Sequence, residues 1–307
     1  PNGFSKKAIG YLPEPSKKDT ETILRIQIFL DEKMFGPGKI DGQMGQFTRK
    51  AVAHYNFGYN LKYDNYYKVI NESNAVIDKL FTTYTIKEED FNFVGEVSFE
   101  PSEQAEIDYL YYRSILEFTA ERFHSDEKYL TKINPAIDWE KATTGTIIKV
   151  PNVTPFKIED VKKDKSFQRE RKLSKRLVIV DTTQKLVAIW EKSKILATFP
   201  ITPGQEKFIH RGSWVIQNMI TTPTFRWDQS MLETGKRSNE AHLLPPGPNS
   251  PIGIFWAGLN KGGIGLHGTS SPHTIGRSRS AGCVRLANWD VVRLSNLVRP
   301  GAKVEMR

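Results

Sequence analysis

Ser280-Ala281-Gly282-Cys283-Val284-Arg285-Leu286 holds the only cysteine of the chain, and His267-Gly268-Thr269 stands sixteen positions before it. A thiol attacks as its thiolate, and a nearby imidazole can take its proton. Glycine, serine and arginine surround Cys283, where a core cysteine would have apolar neighbours. The pattern therefore reads as a nucleophile with its base. If the segment is extended, side chains alternate, and Arg285 faces the same way as Cys283. There it lowers the thiol pKa, holds a substrate carboxylate or pairs with an acid to fix the loop; the residues leave these three open. Gly282 has no Cβ and lets backbone approach a substrate closely. The N–H groups around Gly282 and Cys283 are candidate oxyanion donors. Ser280 either donates to the substrate or satisfies loop backbone. An activated Cys283 is expected to alkylate with an apparent pKa well below the ~8.5 of a free thiol.

Gly265-Leu266-His267-Gly268-Thr269, the loop Pro272-His273-Thr274-Ile275-Gly276 and the Cys283 segment together resemble the YkuD-type L,D-transpeptidases. So does the upstream run Leu244-Pro245-Pro246-Gly247-Pro248-Asn249-Ser250-Pro251-Ile252-Gly253. The resemblance covers roughly residues 175 to 307. It implies a mainly-β catalytic domain acting on bacterial peptidoglycan. Cys283 would attack the carbonyl of the third stem residue and expel the terminal D-residue, leaving a thioester for an amine acceptor. His267 would be base and then acid, its ring fixed by a backbone carbonyl in the Gly268 region. The resemblance marks Cys283, His267 and Arg285 as catalytic, and Gly282, Ser280, Gly268, Ala281, Thr269 and Trp256 as substrate-binding or oxyanion residues. Several members carry a second histidine where this chain has Ala281; His273 is the candidate substitute, unless it simply faces solvent. Stem peptides and glycan are the implied partners, carbapenem-type β-lactams the implied covalent inhibitors. An L,D-carboxypeptidase, a protein-anchoring transpeptidase and an inactive wall-binding scaffold stay open as alternatives.

The chain has 307 residues, enough for two or three domains. Its net charge of +9 suits an anionic polymer, but no nucleic-acid motif accompanies it. No His, Cys or acid cluster has metal-ligand spacing, so neither metal nor organic cofactor is expected. No apolar run reaches the ~18 residues of a membrane span. The chain opens on Pro1-Asn2-Gly3 and not Met, compatible with a removed export signal, and an exported location in periplasm or cell wall is expected.

The fold class expected is multidomain α+β. Residues 1–19 read as an N-terminal extension. Residues 20–82 read as a small helical module: an apolar helix from Ile23 to Leu30, a Gly/Pro turn at 35–42, and a helix capped by Thr48. Gln27, Leu30, Phe35, Gly38, Ile40-Asp41-Gly42, Gly45, Thr48 and Ala51-Val52 resemble the type 1 peptidoglycan-binding domain. Residues 83–153 end in Asn134-Pro135 and Gly145-Thr146 before a strand, which resembles the close of a LysM module; a module that packs on the catalytic domain and shapes its cleft is the alternative. Residues 154–175 read as a basic linker. From 176 to 307, short strands indicate an antiparallel β body, followed by a helix that Asn288 caps. Trp227, Trp256 and Phe255 are candidate cleft walls, and Trp214 a core residue.

Overall fold

The computed structural model describes residues 19–277 and 282–307. Nearly all of the expected extension 1–19, and both Ser280 and Ala281, lie outside the described residues.

The first helix, α1 (Thr20–Glu32), buries Ile23, Leu24, Ile26, Ile28, Phe29 and Leu30. A stripe this dense buries two faces at once: Ile26, Phe29 and Leu30 enter a core shared with α2 (Gln46–Gly58) and α3 (Tyr66–Val76), while Leu24 and Ile28 point into the next module. Thr48 does not cap α2. The helix begins at Gln46 with Gly45 before it, and the Thr48 hydroxyl lies inside, donating to Pro37 O and accepting from Gln27 Nε2 at 3.2 Å. Buried between two backbone segments, that hydroxyl serves the Gly/Pro turn and not the helix end.

The second region pairs β1 (Phe81–Thr85) with β2 (Ile147–Pro151) antiparallel. The chain between them makes α4 (Pro101–Gln104), α5 (Ile115–Arg122) and α6 (Glu127–Ile133). The expected boundary at 82/83 falls inside β1, because β1 belongs with β2. The segment ahead of α5 leaves this fold and reaches the C-terminal domain. Leu110 donates its N–H to Pro246 O at 2.8 Å and accepts from Asn249 N–H at 3.0 Å. Gly247, at φ +145°, leaves room for this approach; a Cβ there would sit 2.3 Å from Leu110 O.

Residues 154–175 are not a free linker. Phe156 and Ile158 enter the accessory core, Phe167 packs on the main one, and Ser166 bridges Ile220. Apolar anchors among the lysines hold this stretch down.

The run Leu177-Val178-Ile179-Val180 becomes β3 (Leu177–Asp181), with three consecutive buried residues, as a strand covered on both faces should. After it come β4 (Leu186–Glu191), β5 (Lys194–Pro200) and β6 (Gly212–Thr221). A small hairpin of β7 (Phe225–Trp227) and β8 (His242–Leu244), with α7 (Gln229–Thr234) between, stands apart. Then follow β9 (Phe255–Leu259), β10 (Gly265–His267), β11 (Val284–Arg285), α8 (Asn288–Leu297) and β12 (Lys303–Met306). Among the described residues, eight strands form one sheet in the order β11-β10-β9-β6-β12-β3-β4-β5. The body is not wholly antiparallel: β12 pairs with β3, and β11 with β10, in parallel. Parallel neighbours need a crossover of a dozen or more residues. The sixteen-residue spacing between His267 and Cys283 is such a crossover, returning the chain to the end of the sheet where β10 began. The sheet also curls. Thr202, just past β5 at one edge, exchanges both backbone bonds with Arg285 at the other, at 2.9 and 3.0 Å. Val178, Val187, Phe199, Leu266, Val284 and Val304 fill the interior with Leu294 of α8.

The three regions share cores. One apolar cluster joins Leu24 and Ile28 of α1, Phe118 and Tyr129 of the second region, and Ile254, Ala287 and Trp289 of the C-terminal domain. Beside it, buried Asp31 of α1 takes a two-pronged bond from Arg293 of α8 at 2.8 and 2.7 Å, and His124 donates to it at 2.9 Å. Among the described residues no helix is long and apolar enough to cross a membrane.

Candidate active site

Alternation along two paired strands assembles the site. In β10 and β11, Leu266 pairs with Val284 and His267 with Arg285. Residues paired across parallel strands share a face, and successive residues alternate. Leu266 and Val284, at most 1% exposed, therefore point into the core. His267 and Arg285 point the other way, and Cys283 lies on the bend that leads into β11. The apolar residues of Gly-Leu-His and Cys-Val-Arg-Leu thus fix which side the chemistry occupies.

His267 Nδ1 lies 2.6 Å from Gly268 O. A carbonyl only accepts, so Nδ1 carries the proton and Nε2 keeps its lone pair. Trp256, paired with His267 across β9 and β10, stacks on the imidazole at 5.8 Å between centroids. Burial pushes the His267 pKa down to about 4; the Gly268 bond opposes this, and the Arg285 cation adds to it. Cys283 Sγ is 3.3 Å from Gly263 O, and the residue stays partly exposed. Burial pushes its thiol up to about 11, against a backbone contact at Gly265. The direction is opposite to that expected of an activated thiol. Arg285, itself partly buried, adds its field to the burial that lowers the His267 pKa. At neutral pH the His267 imidazole is neutral.

The backbone at the thiol is tightly held. Gly282, buried at φ +128°, adopts a conformation that favours glycine. It meets Gly204 so closely that a Cβ on Gly204 would sit 2.4 Å from Gly282 Cα. Two residues expected at the substrate have partners within the protein. The Gly268 N–H donates to Phe255 O at 3.2 Å, so Gly268 acts through its carbonyl. Thr269 is buried, its hydroxyl accepting from Ser271 N–H at 3.2 Å. His273 is exposed on the 3-10 turn Pro272–Thr274. Phe255 is core, not a cleft wall, and Trp227 sits in the β7–β8 hairpin beside His242. Trp214 is only half-buried, its Nε1 donating to His210 O at 2.8 Å. No group of three His, Cys, Asp or Glu side chains that could hold a metal occurs among the described residues.

The residue that sequence reasoning misplaced is Asn288. It is not the cap of α8; Ala287 holds that position, and Asn288 is the first helical residue, fully buried. Its amide accepts from the N–H of Thr269 and donates to the C=O of that residue, in the turn after β10, and to Glu121 of the second region. Glu121 went unremarked as well. Its signal was a carboxylate three residues after Phe118 on an apolar helix.

Residues 175–306 match the L,D-transpeptidase catalytic domain family model, YkuD. The YkuD protein of Bacillus licheniformis is 24% identical over 192 residues, 62% of this chain and 92% of that protein. The YqjB protein of Bacillus subtilis is 34% identical over 133 residues, 41% of this chain and 68% of that protein. Both carry L,D-transpeptidase in their names. A solved L,D-transpeptidase from Mycobacterium smegmatis superposes with a TM-score of 0.36 at 13% identity, covering 54% of this chain and 76% of that one. The matched catalytic domain and the identity to YqjB together establish that this chain belongs to the YkuD family of L,D-transpeptidases.

Proposed function

We propose that the chain is a peptidoglycan L,D-transpeptidase in which Cys283 carries the acyl group. His267 Nε2 takes the thiol proton as Sγ attacks the carbonyl of the third stem residue. The tetrahedral oxyanion is met by backbone N–H groups at Gly282 and Cys283, and the same proton passes to the leaving D-amino acid. The thioester then yields to an amine on a neighbouring stem, whose lost proton returns to His267. Arg285, on the same face, adds to the burial that keeps His267 from holding a proton at rest, and offers a cation to a stem carboxylate. The observation that carries this reading is the 2.6 Å contact from His267 Nδ1 to Gly268 O, which leaves Nε2 as the base. Membership in the family supports the reaction class. An exported location at the cell wall, glycan contact by the N-terminal regions and acylation of Cys283 by carbapenems belong to the same proposal.

The test is a product analysis of disaccharide-tetrapeptide incubated with wild type and with Cys283→Ala. Cross-linked dimers from wild type alone are expected. Tripeptide monomers without dimers would replace the proposal with a carboxypeptidase. Dimers from Cys283→Ala would remove Cys283 from the mechanism.

A further inference from the structure

Asn288 Nδ2 lies 3.0 Å from Glu121 Oε1, 3.2 Å from Thr269 O and 3.3 Å from Pro248 O. Its Oδ1 accepts from the N–H groups of Ile254 and Thr269, each at 3.3 Å. Space is cleared around that oxygen: a Cβ on Gly253 would sit 2.1 Å from it, and one on Gly268 2.2 Å. The amide therefore grips the turn that follows β10, and that turn carries the Gly268 carbonyl facing His267 Nδ1.

The grip works in only one orientation. Were the amide reversed, its NH2 would face two N–H donors and its oxygen would face carbonyls. Glu121 lies on the accepting side, only 4% exposed, and its Oε1 also takes the Tyr112 hydroxyl at 2.6 Å. Both groups belong to the second region, outside the span matched to the catalytic domain. We infer that Glu121 is a positioning residue for His267, holding the Asn288 amide so that Gly268 presents its carbonyl to Nδ1. Burial pushes the Glu121 pKa up to about 8, so at pH 7 it is a neutral acid whose oxygen accepts. Glutamine at this position keeps the shape and the acceptor. The accessory region then works inside the catalytic apparatus, through a side chain that touches no substrate.

The inference rests on His267 being the base of the proposed reaction, but its test needs no substrate. Nitrogen-15 histidine NMR on the full chain reads the His267 tautomer and titration midpoint, assigned with His267→Gln. Wild type and Glu121→Gln are expected to show the Nδ1–H tautomer with a strongly acidic midpoint. In Glu121→Leu the tautomers should mix and the midpoint fall by about one pH unit, because the Gly268 bond that favours the charged ring is weakened. Alkylation of Cys283 by iodoacetamide should slow by about tenfold in Glu121→Leu, with Glu121→Gln near wild type. Glu121→Asp withdraws the acceptor by one methylene and should move His267 the same way, which covers the case in which the leucine variant fails to fold. An unmoved His267 signal in whichever of these folds overturns the inference. So does loss of the fold in both, which would make Glu121 purely structural. If wild type makes no cross-links, the function reading falls while the NMR result stands.

Discussion

Two seams attach the C-terminal domain to the regions before it, and each buries a carboxyl group. At the first, Asp31 of α1 meets Arg293 of α8, two bonds to one guanidinium, with His124 as a further donor. Burial alone would raise the Asp31 pKa, but Arg293 and His124 hold it far below the usual carboxylate range. At the second, Glu121 meets Asn288 and Tyr112, and no cation is among these partners. Burial wins there, and the acid is pushed up to about 8. One seam is closed by a charge pair and the other by a neutral amide network. A buried acid beside a cation is strong but brittle, since neither partner can be lost alone. A buried neutral acid fixes the direction of hydrogen bonds and is sensitive to pH.

The sharpest way to break the comparison is to remove the cation. Arg293→Met leaves Asp31 enclosed and uncompensated, and should cost about 3–5 kcal/mol in urea unfolding. Adding Asp31→Leu should restore much of that loss, because no buried charge then remains. A single variant within about 1 kcal/mol of wild type would show that the seam is held by its apolar contacts instead.

The second seam is tested by pH. Below pH 4.5, the ordinary value for Glu121, folded and unfolded chains both hold its proton. Between 4.5 and about 8 the unfolded chain releases the proton and the folded chain does not, so stability falls as pH rises. The slope is at most about 1.4 kcal/mol per pH unit for one group. Asp290 is also pushed up to about 8, by burial that the Arg293 cation only partly offsets, so it adds a second share. Glu121→Gln should remove one share: its melting temperature should gain on wild type steadily from pH 4.5 to 8. Parallel melting curves across that range would mean that Glu121 ionises normally in the folded chain.

The contrast between seams also separates what the sequence revealed from what it hid. Strands from Leu177 onward, the dense stripe of α1 and the spacing of the His267 and Cys283 motif were legible because each is a local pattern: a continuous β-branched run, a dense apolar run, a motif. The parallel pairing of β10 with β11 was written in the spacing of the motif, but a spacing does not announce a crossover until the strands are seen. Thr48 and Asn288 look like caps to any local rule, and both side chains are diverted by partners that the fold brings from elsewhere. Asn288 bonds to Glu121, 167 positions away, and Arg293 to Asp31, 262 positions away. The low thiol pKa expected for Cys283 runs against burial for a related reason. A motif gives neighbours along the chain, whereas burial belongs to the assembled site.

The smallest effect expected lies where the helical module meets the second region at the surface. Lys39 pairs there with Asp126, and its side chain keeps 27% of its exposure. Water screens such a pair, and holding a lysine in place costs side-chain entropy. Lys39→Met should therefore change stability by less than about 1 kcal/mol, and 1 M salt should erase most of the difference from wild type. Asp126 has a second task, since it caps α6 by accepting from Tyr129 N–H at 2.8 Å. Asp126→Ala should for that reason cost more than Lys39→Met, by about 1 kcal/mol, and the excess should survive in salt because it belongs to a helix end and not to the pair. Equal costs for the two variants would place the whole contribution in the ion pair, and the rule that separates the two buried seams from this half-buried one would fail.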